Sequence, residues 1–453
     1  MISFPDAICL ASLSASCPRP LLPNLRSLQW IGVPASLLDH ILPFLHKNIV
    51  ELQIYLDSDF YDETVLPLLA RLHTICPNVR DFCLTGVRPD GNKEHDRIVS
   101  ELATRWEHIQ TLRIPLLNET DLRKVATLPR LRSLDIQMPC KESSSPSPIP
   151  GPAFPALRRL TMQVPSMEYG ARFLSIGQSK IDLEALSIGV FGVGLKCEWA
   201  SLLPVVAQSC VAQTLRVITL EDSSFGALEQ VSQDGAEWPY SLNFDALHPL
   251  FTFSILTHLT LGCRQGFLLN DLQMRELAMA WPLMEKLVLG TTHHEADHEP
   301  PERPHTATIQ SLVSLARYCP RLRYLAFDFD ATSVVYDEDS MRDVRQFSLT
   351  DLTVELSPIK KARVVTALLS AMFPNLRLVC SGSAWGEDGP NAGVDVDAEL
   401  RRQSKWMQVT RLVRMLWNHR AQTRGQQGDS GQSLTVESAL NSLEEYDTDD
   451  SDM

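Results

Sequence analysis

A six-residue pattern recurs about thirteen times along this chain of 453 residues. Its first, fourth and sixth positions are apolar, in the loose form Leu-x-x-Leu-x-Leu, and successive copies start 22 to 41 residues apart. The copies begin at Leu25, Ile49, Val79, Ile109, Leu131, Leu157, Leu183, Leu215, Leu256, Met284, Leu322, Leu349 and Leu376. Repetition at this spacing indicates a solenoid, in which each repeat packs on its neighbours and function lies on the surface.

Each copy is predicted to form one β-strand. A single short strand cannot bury an apolar face alone, whereas stacked copies can. Because side chains alternate along a strand, the apolar positions turn inward and the third and fifth positions turn outward, onto the concave face. The pattern and its spacing resemble those of leucine-rich repeat proteins.

Prolines punctuate the repeats. A proline stands two residues before seven of the thirteen copies. These prolines are Pro23, Pro77, Pro129, Pro155, Pro282, Pro320 and Pro374. A proline has no backbone donor and a fixed φ, so we expect each of them to end a helix and lead into a strand.

Segments with helical periodicity lie between the strands. Apolar residues three and four apart form a stripe before several copies, for example at Val65, Leu68, Leu69 and Leu72. The predicted unit is therefore strand, loop and helix. The sequence predicts an α/β leucine-rich repeat solenoid, a horseshoe with a parallel sheet on its concave face and helices on its convex face.

Charge, cysteine spacing and the absence of known motifs argue against nucleic-acid binding and catalysis. The net charge of −14 disfavours nucleic acid, whose phosphates need clustered Lys and Arg. The ten cysteines contain no C-x-x-C pair, so we expect reduced, mostly packed thiols. No catalytic or nucleotide-binding motif is present. We therefore expect no enzyme activity, no cofactor and no resident metal.

We divide the chain into five segments. Residues 1–22 form an amino-terminal cap or leader, and residues 23–380 form the repeat domain. Residues 381–396 are a loop rich in glycine and acid, residues 397–420 a helix, and residues 421–453 a disordered acidic tail. Ser442, with Glu445 three residues later, matches a weak acidophilic kinase pattern in that tail.

The helix at 397–420 has two interpretations. Its apolar residues include Trp406 and Trp417, and it carries Arg and Lys without an acid after Glu399. A solenoid needs a cap over its last repeat, which is the interpretation we favour. A basic amphipathic helix also docks on membranes or on calmodulin-like partners.

Three irregular segments are predicted to lie on the surface. Lys141–Pro152 is rich in serine and proline and is predicted to be a loop. Phe225–His248 contains Trp238, Tyr240 and Phe244, which either fold back onto the solenoid or anchor a partner. The histidine-rich stretch at 293–305 has potential metal ligands, but its prolines favour a solvated loop.

No stretch is apolar enough to span a bilayer, and no basic segment precedes the apolar run at 8–13. We expect a protein that is not held in a membrane. An intracellular location, in cytoplasm or nucleus, is expected.

Several phrases resemble the repeat regions of fungal F-box-like proteins. They are PNLRSLQW at Pro23, CPNVRDFCL at Cys76, CPRLRYLAF at Cys319 and FPNLRLV at Phe373. In that family the repeats capture a target for ubiquitylation, and an amino-terminal F-box docks the adaptor of a cullin ubiquitin ligase. Val33–Ile49 faintly resembles an F-box, but its periodicity fits the first inter-strand helix better. We therefore expect adaptor docking only if an F-box lies upstream.

The outward positions supply the candidate partner-binding residues. They are Glu51, Gln53, Asp81, Arg113, Asp135, Arg159, Thr161, Thr219, Glu221, His258, Lys286, Tyr324, Asp328, Asp351 and Glu355. Seven of these are acids and three are Arg or Lys, so we expect a protein target with a basic or mixed patch.

The resemblance implies a non-enzymatic interaction module that serves as the target receptor of a cullin-type ubiquitin ligase. The alternative is a free-standing repeat scaffold or an inhibitor-like binding protein with no link to ubiquitin.

Overall fold

The computed structural model describes residues 20–33, 35–56, 65–86, 93–115, 117, 119–138, 151–191, 199–222, 242–263, 266–290, 306–333, 344–354, 356–381 and 396–426. The chain forms two compact units. The first comprises residues 1–192 and 208–214, and the second comprises residues 193–207 and 215–453.

Among its described residues the first unit contains seven parallel strands, whose order in the sheet follows their order in the chain. They are β1 (Ser27–Val33), β2 (Glu51–Leu56), β3 (Asp81–Thr85), β4 (Thr111–Ile114), β5 (Ser133–Gln137), β6 (Arg159–Val164) and β7 (Ala185–Val190). The connecting helices are a 3₁₀ helix (Ala35–Phe44), α1 (Val65–Ile75), α2 (Lys93–Ala103), α3 (Glu119–Ala126) and α4 (Met167–Leu174).

The second unit repeats this plan. Its strands are β8 (Val217–Asp222), β9 (Leu242–Asn243), β10 (His258–Gly262), β11 (Phe267–Leu268), β12 (Lys286–Gly290), β13 (Tyr324–Phe327), β14 (Asp351–Thr353) and β15 (Leu378–Cys380). All pair in parallel and in chain order except β9 and β11, which form a separate two-stranded sheet. The helices are α5 (Trp199–Ser209), α6 (Phe244–Leu247), a 3₁₀ helix (His248–Thr252), α7 (Asp271–Ala280), α8 (Ile309–Tyr318), α9 (Ala362–Met372) and α10 (Val396–Gln426).

The repeat pattern accounts for the strands. Apart from β9 and β11, every strand begins at the third position of one of the thirteen copies, from Ser27 in the first to Leu378 in the last. Residues at the fourth position, such as Leu160 and Leu325, are buried. Helices follow most strands, with apolar stripes such as Ile309, Leu312 and Leu315 turned into the core. The fold is an α/β leucine-rich repeat solenoid, as the sequence predicts.

The prolines act as expected where the helices are regular. Helices α1, α7, α8 and α9 each end two residues before a proline, at Pro77, Pro282, Pro320 and Pro374. The residue between helix and proline donates its N–H to the carbonyl four residues earlier, as in Cys76 to Leu72 at 2.8 Å and Cys319 to Leu315 at 2.9 Å. These two cysteines are buried, so their thiols pack between repeats.

The structure departs from the sequence analysis at three elements. The first inter-strand helix is a 3₁₀ helix that contains Pro43, which cannot donate to an α-helical ladder. The short β9 and β11 pair lies outside the repeat pattern, so the hexapeptide does not reveal it. Helix α10 extends to Gln426, beyond the predicted end at 420, because good helix formers such as Ala421 continue it after the apolar stripe stops.

Helix α10 lies on the last repeat. The Trp406 indole is buried, and its Nε1 donates to the carbonyl of Ser357 at 2.8 Å. Thr410 Oγ1 donates to the carbonyl of Val379 in the edge strand β15 at 2.5 Å. Arg420 donates to the carbonyl of Pro374 at 3.2 Å. The helix thus covers part of α9 and of β15.

Several predicted segments lie outside the described residues. They are the amino-terminal residues 1–19, residues 141–150, the histidine-rich stretch at 293–305, residues 382–395 and the acidic residues after 426. Of Trp238, Tyr240 and Phe244 in the predicted aromatic insertion, only Phe244 is among the described residues. It packs against Phe251, which lies edge-on to Trp281. No described helix combines the length and apolarity needed to cross a bilayer.

Candidate protein-interaction surface

In each unit the repeat strands have one face turned to the core and one that carries partly exposed side chains. We call the latter the open face of each unit. It consists of the side chains at the third and fifth positions of the repeats, and at the seventh position where the strand is long enough. Parallel pairing in register places equivalent positions of neighbouring strands side by side, so the open face is built of rows.

In the first unit, hydrogen bonds connect the rows of β1 and β2. Ser27 Oγ donates to Glu51 at 2.9 Å, and Gln53 Nε2 donates to the other oxygen of Glu51 at 2.5 Å. Tyr55 donates its hydroxyl to Gln53 Oε1 at 3.1 Å. Glu51, Gln53 and Tyr55 follow one another at every second residue of β2. This strand therefore presents a continuous row of polar side chains that hydrogen-bond one another.

A second group lies on β4 and β5, with Cys83 of β3 between it and Tyr55. The Cys83 thiol lies close enough to Tyr55 and Arg113 for both to influence its pKa. Arg113 Nε donates to Asp135 Oδ2 at 2.6 Å, with about half of the Arg113 side chain exposed. Burial raises the pKa of the Cys83 thiol, so this group stays neutral. Partial burial disfavours the charge on Arg113, but Asp135 outweighs that effect and raises the pKa of the guanidinium.

Of the predicted residues in this unit, Glu51 and Gln53 belong to one hydrogen-bonded group, and Arg113 and Asp135 form an ion pair two strands away. Asp81 lies beside Glu51 in register, so two carboxylates occupy neighbouring strands. Arg159 and Thr161 lie further along the sheet, in register with Ser133 and Asp135. The open face of the first unit is therefore acidic around β2 and β3, while the charge of Arg113 is largely balanced by Asp135.

In the second unit, a row runs from β10 to β14. His258, Lys286, Tyr324 and Asp351 are successive neighbours in register. The Lys286 ammonium lies over the Tyr324 ring, 5.4 Å from its centroid, and the Tyr324 hydroxyl is 3.1 Å from Thr353 Oγ1. A cation over an aromatic face is attracted by the ring quadrupole. The row therefore holds an ordered aromatic side chain between a cation and an acid.

The other predicted residues of this unit have different environments. Thr219 lies in the row of Thr260, and Glu221 is exposed at the end of β8. Asp328 accepts the backbone N–H of Leu356 at 2.9 Å, so its carboxylate supports a loop and is not simply offered to a partner. Glu355 lies outside the described residues.

Some open-face residues do not follow from the hexapeptide. Ile31, which is exposed, and Tyr55 occupy the seventh position, one residue beyond the pattern. Continuing the two-residue alternation past the sixth position would have found them. Cys83 occupies a fifth position, but a cysteine there gives no sequence signal for its contacts with Tyr55 and Arg113. Among the described residues no group of three or more His, Cys, Asp or Glu is arranged to hold a metal ion.

No protein-family model and no curated protein matches the chain. Solved structures that match include the complex of Rad7 and Elc1 from yeast, at 11% identity over 81% of this chain and 87% of that one, with a TM-score of 0.37. Another is the leucine-rich repeat-containing protein LegL7 from Legionella pneumophila, at 11% identity over 86% of this chain and 98% of that one, also with a TM-score of 0.37. The fold assignment rests on the repeats and strand pairing of this chain.

Proposed function

We propose that the protein is a non-enzymatic interaction module that binds a protein target on the open faces of its repeats. The observation that carries this proposal is a pair of ordered polar groups on the open face of the first unit: Glu51, Gln53 and Tyr55 on β2, and Arg113 with Asp135 on β4 and β5. Its side chains are held by one another before any partner arrives, so binding costs little side-chain entropy. Tyr and Arg are also the residue types that dominate binding energy at protein interfaces.

The charge of this surface favours a basic or mixed patch on the target. Glu51 and Asp81 are adjacent carboxylates on neighbouring strands. Like charges side by side repel one another, and a Lys or Arg of a partner relieves that repulsion. More specifically, we propose that the module is the target receptor of a cullin-type ubiquitin ligase. The support for this is the resemblance of its repeat phrases to those of F-box-like proteins.

The target-binding proposal is tested by affinity capture with three forms of the protein. They are the wild type, Asp81→Lys on the open face, and Glu107→Lys, which makes the same charge change at an exposed residue outside the strands. We expect a set of partners that Asp81→Lys loses and Glu107→Lys keeps. Equal loss or equal retention in both variants would refute binding at the open face.

The ligase proposal is tested separately, by probing the same captures from the native host for the cullin and its adaptor. Co-purification of both, unaffected by Asp81→Lys, is expected of a receptor whose target site and adaptor site are distinct. Partners that depend on the open face but arrive without cullin would instead favour a free-standing scaffold or inhibitor.

A further inference from the structure

A groove of about 700 Å³ lies between β15 and one face of α10 in the second unit. Residues of α10 from Gln403 to Asn418 line it at helical spacing, over about 22 Å of helix. The opposite wall is the last strand of the sheet, Leu378–Cys380. The groove is thus a channel bordered by one helix and one strand, and its length suits a second helix.

Apolar side chains in this groove are exposed. Met407 is 64% exposed and Leu378 is 44% exposed, and Met415 lines the groove with them. Arg411 and Arg414 lie on the same face of the helix. A patch with apolar side chains and flanking arginines matches an amphipathic helix whose polar edge is acidic.

The two stretches of chain that meet at residue 426 carry opposite charge. Helix α10 has seven Arg and Lys residues and two acids. Residues 427–453 contain eight acids and neither Lys nor Arg. Eight acids are therefore covalently attached to the basic helix, at high effective concentration.

The following segment also has the apolar pattern that the groove needs. Val436, Leu440 and Leu443 are spaced four and three residues apart, which places them on one stripe of a helix. Glu437 and Glu444 border that stripe on one side. A helix over residues 434–446 would be about 20 Å long, which is close to the length of the groove.

The chain is long enough to bring this segment back to the groove. The groove ends near Asn418, about 12 Å along the helix from Gln426. Residues 427–433, which include two glycines, reach up to about 23 Å when extended. The segment can therefore turn and run antiparallel to α10.

We propose that residues 434–446 dock as an amphipathic helix in the groove between β15 and α10. Val436, Leu440 and Leu443 cover Met407, Leu378 and Met415, and the acids face Arg411 and Arg414. The occupant is the chain's own carboxy-terminal segment, which closes the groove to other partners when it is bound. The proposal is independent of target binding at the open faces.

Cys380 provides the test because it lines the groove and is exposed, whereas the other five described cysteines are buried. The parent protein for the experiment is the full chain with Cys9, Cys17, Cys140 and Cys197 each replaced by serine. Maleimide labelling of Cys380 in this protein is followed over time. In this background Val436→Asp/Leu440→Asp/Leu443→Asp disrupts the apolar stripe. If the segment is docked ten times as often as it is free, the triple variant should label about tenfold faster.

A matched control adds the same three charges off the stripe, as Ser438→Asp/Asn441→Asp/Thr448→Asp. It should label no faster than the parent, and Arg414→Glu should label faster. Equal rates in the parent and the stripe variant would overturn the proposal, including the case in which Cys380 is unreactive in both. Protection that grows with protein concentration would assign the groove to a second copy and would also overturn docking within one chain.

Discussion

At the scale of single residues, alternation along the strand separates the core from the open face. Leu134, Leu160, Leu186 and Leu325 are at most 1% exposed, whereas Ser133 and Thr161, one residue away, are half-buried on the other face. A register error of one residue would exchange the two sets, because strand side chains alternate with a period of two.

Truncation to alanine should therefore reduce stability strongly at a core position and hardly at all at the adjacent open-face position. We expect Leu160→Ala to lower the free energy of unfolding by about 2–5 kcal/mol, because it leaves a cavity in the core. Thr161→Ala should change it by less than about 0.5 kcal/mol. Urea unfolding followed by circular dichroism measures both, and similar losses would show that the register is wrong.

Position 86 requires glycine for two reasons, a positive φ and the lack of room for a Cβ atom. Its φ is +82°, and a Cβ would lie 1.7 Å from the carbonyl oxygen of Leu56. Gly151 is the matched control, since its φ is +98° but a Cβ would meet nothing within 4 Å. Gly151→Ala should cost about 1–2 kcal/mol through φ alone. Gly86→Ala should lower the free energy of unfolding clearly more than this, as measured by thermal or urea unfolding. Equal losses in the two variants would exclude the clash with the Leu56 carbonyl.

The thiols differ in reactivity because they differ in burial. Burial raises the pKa of Cys210 and Cys319 to about 12, so these groups stay neutral well above pH 9. Burial, followed by the charge of Asp351, also raises the pKa of exposed Cys380 above its ordinary value of 9.0. Since the thiolate is the reactive form, Cys380 labelling should still accelerate as pH rises through 9, and Asp351→Asn should speed it at pH 8. A rate that levels off below pH 9 would contradict this environment.

At the scale of elements, prolines and apolar stripes predict the helices well where the repeat is regular. These signals do not locate the elements that lie beyond the repeat pattern. The apolar stripe ends near Trp417 and predicts an end of α10 at 420, but local helix propensity continues the helix to Gln426. The β9 and β11 pair joins two short segments that lie outside the repeat pattern, so no local periodicity reveals it.

We propose that α10 is the cap of the last repeat, and two adjacent residues test this. Trp406 is 1% exposed and hydrogen-bonded to Ser357, whereas Met407 is mostly exposed. Trp406→Ala should lower the free energy of unfolding by about 3–5 kcal/mol, and Met407→Ala by less than about 0.5 kcal/mol. A peripheral docking helix would unfold without affecting the repeats, so unchanged melting of Trp406→Ala would exclude the cap.

At the scale of the whole molecule, the hexapeptide predicts the thirteen strands that follow one another in chain order and the side of each that faces the core. It also placed Glu51, Gln53, Arg113 and Asp135 on one surface. It did not predict their mutual contacts, because those depend on the register between strands that are 22 to 30 residues apart. Nor did it predict the supporting role of Asp328, which depends on a loop outside the repeat.

We propose that the acidic open face of the first unit binds a protein target through charge and ordered polar side chains. The most direct test is the dissociation constant of a captured target, measured from about 0.05 to 0.5 M salt for wild type, Asp81→Lys and Glu107→Lys. We predict that wild type and Glu107→Lys bind equally and weaken together as salt rises, because salt screens exposed charges. Asp81→Lys should bind at least about tenfold more weakly and with a flatter salt dependence. Affinity that does not change with salt, and that is the same for all three proteins, would contradict the account.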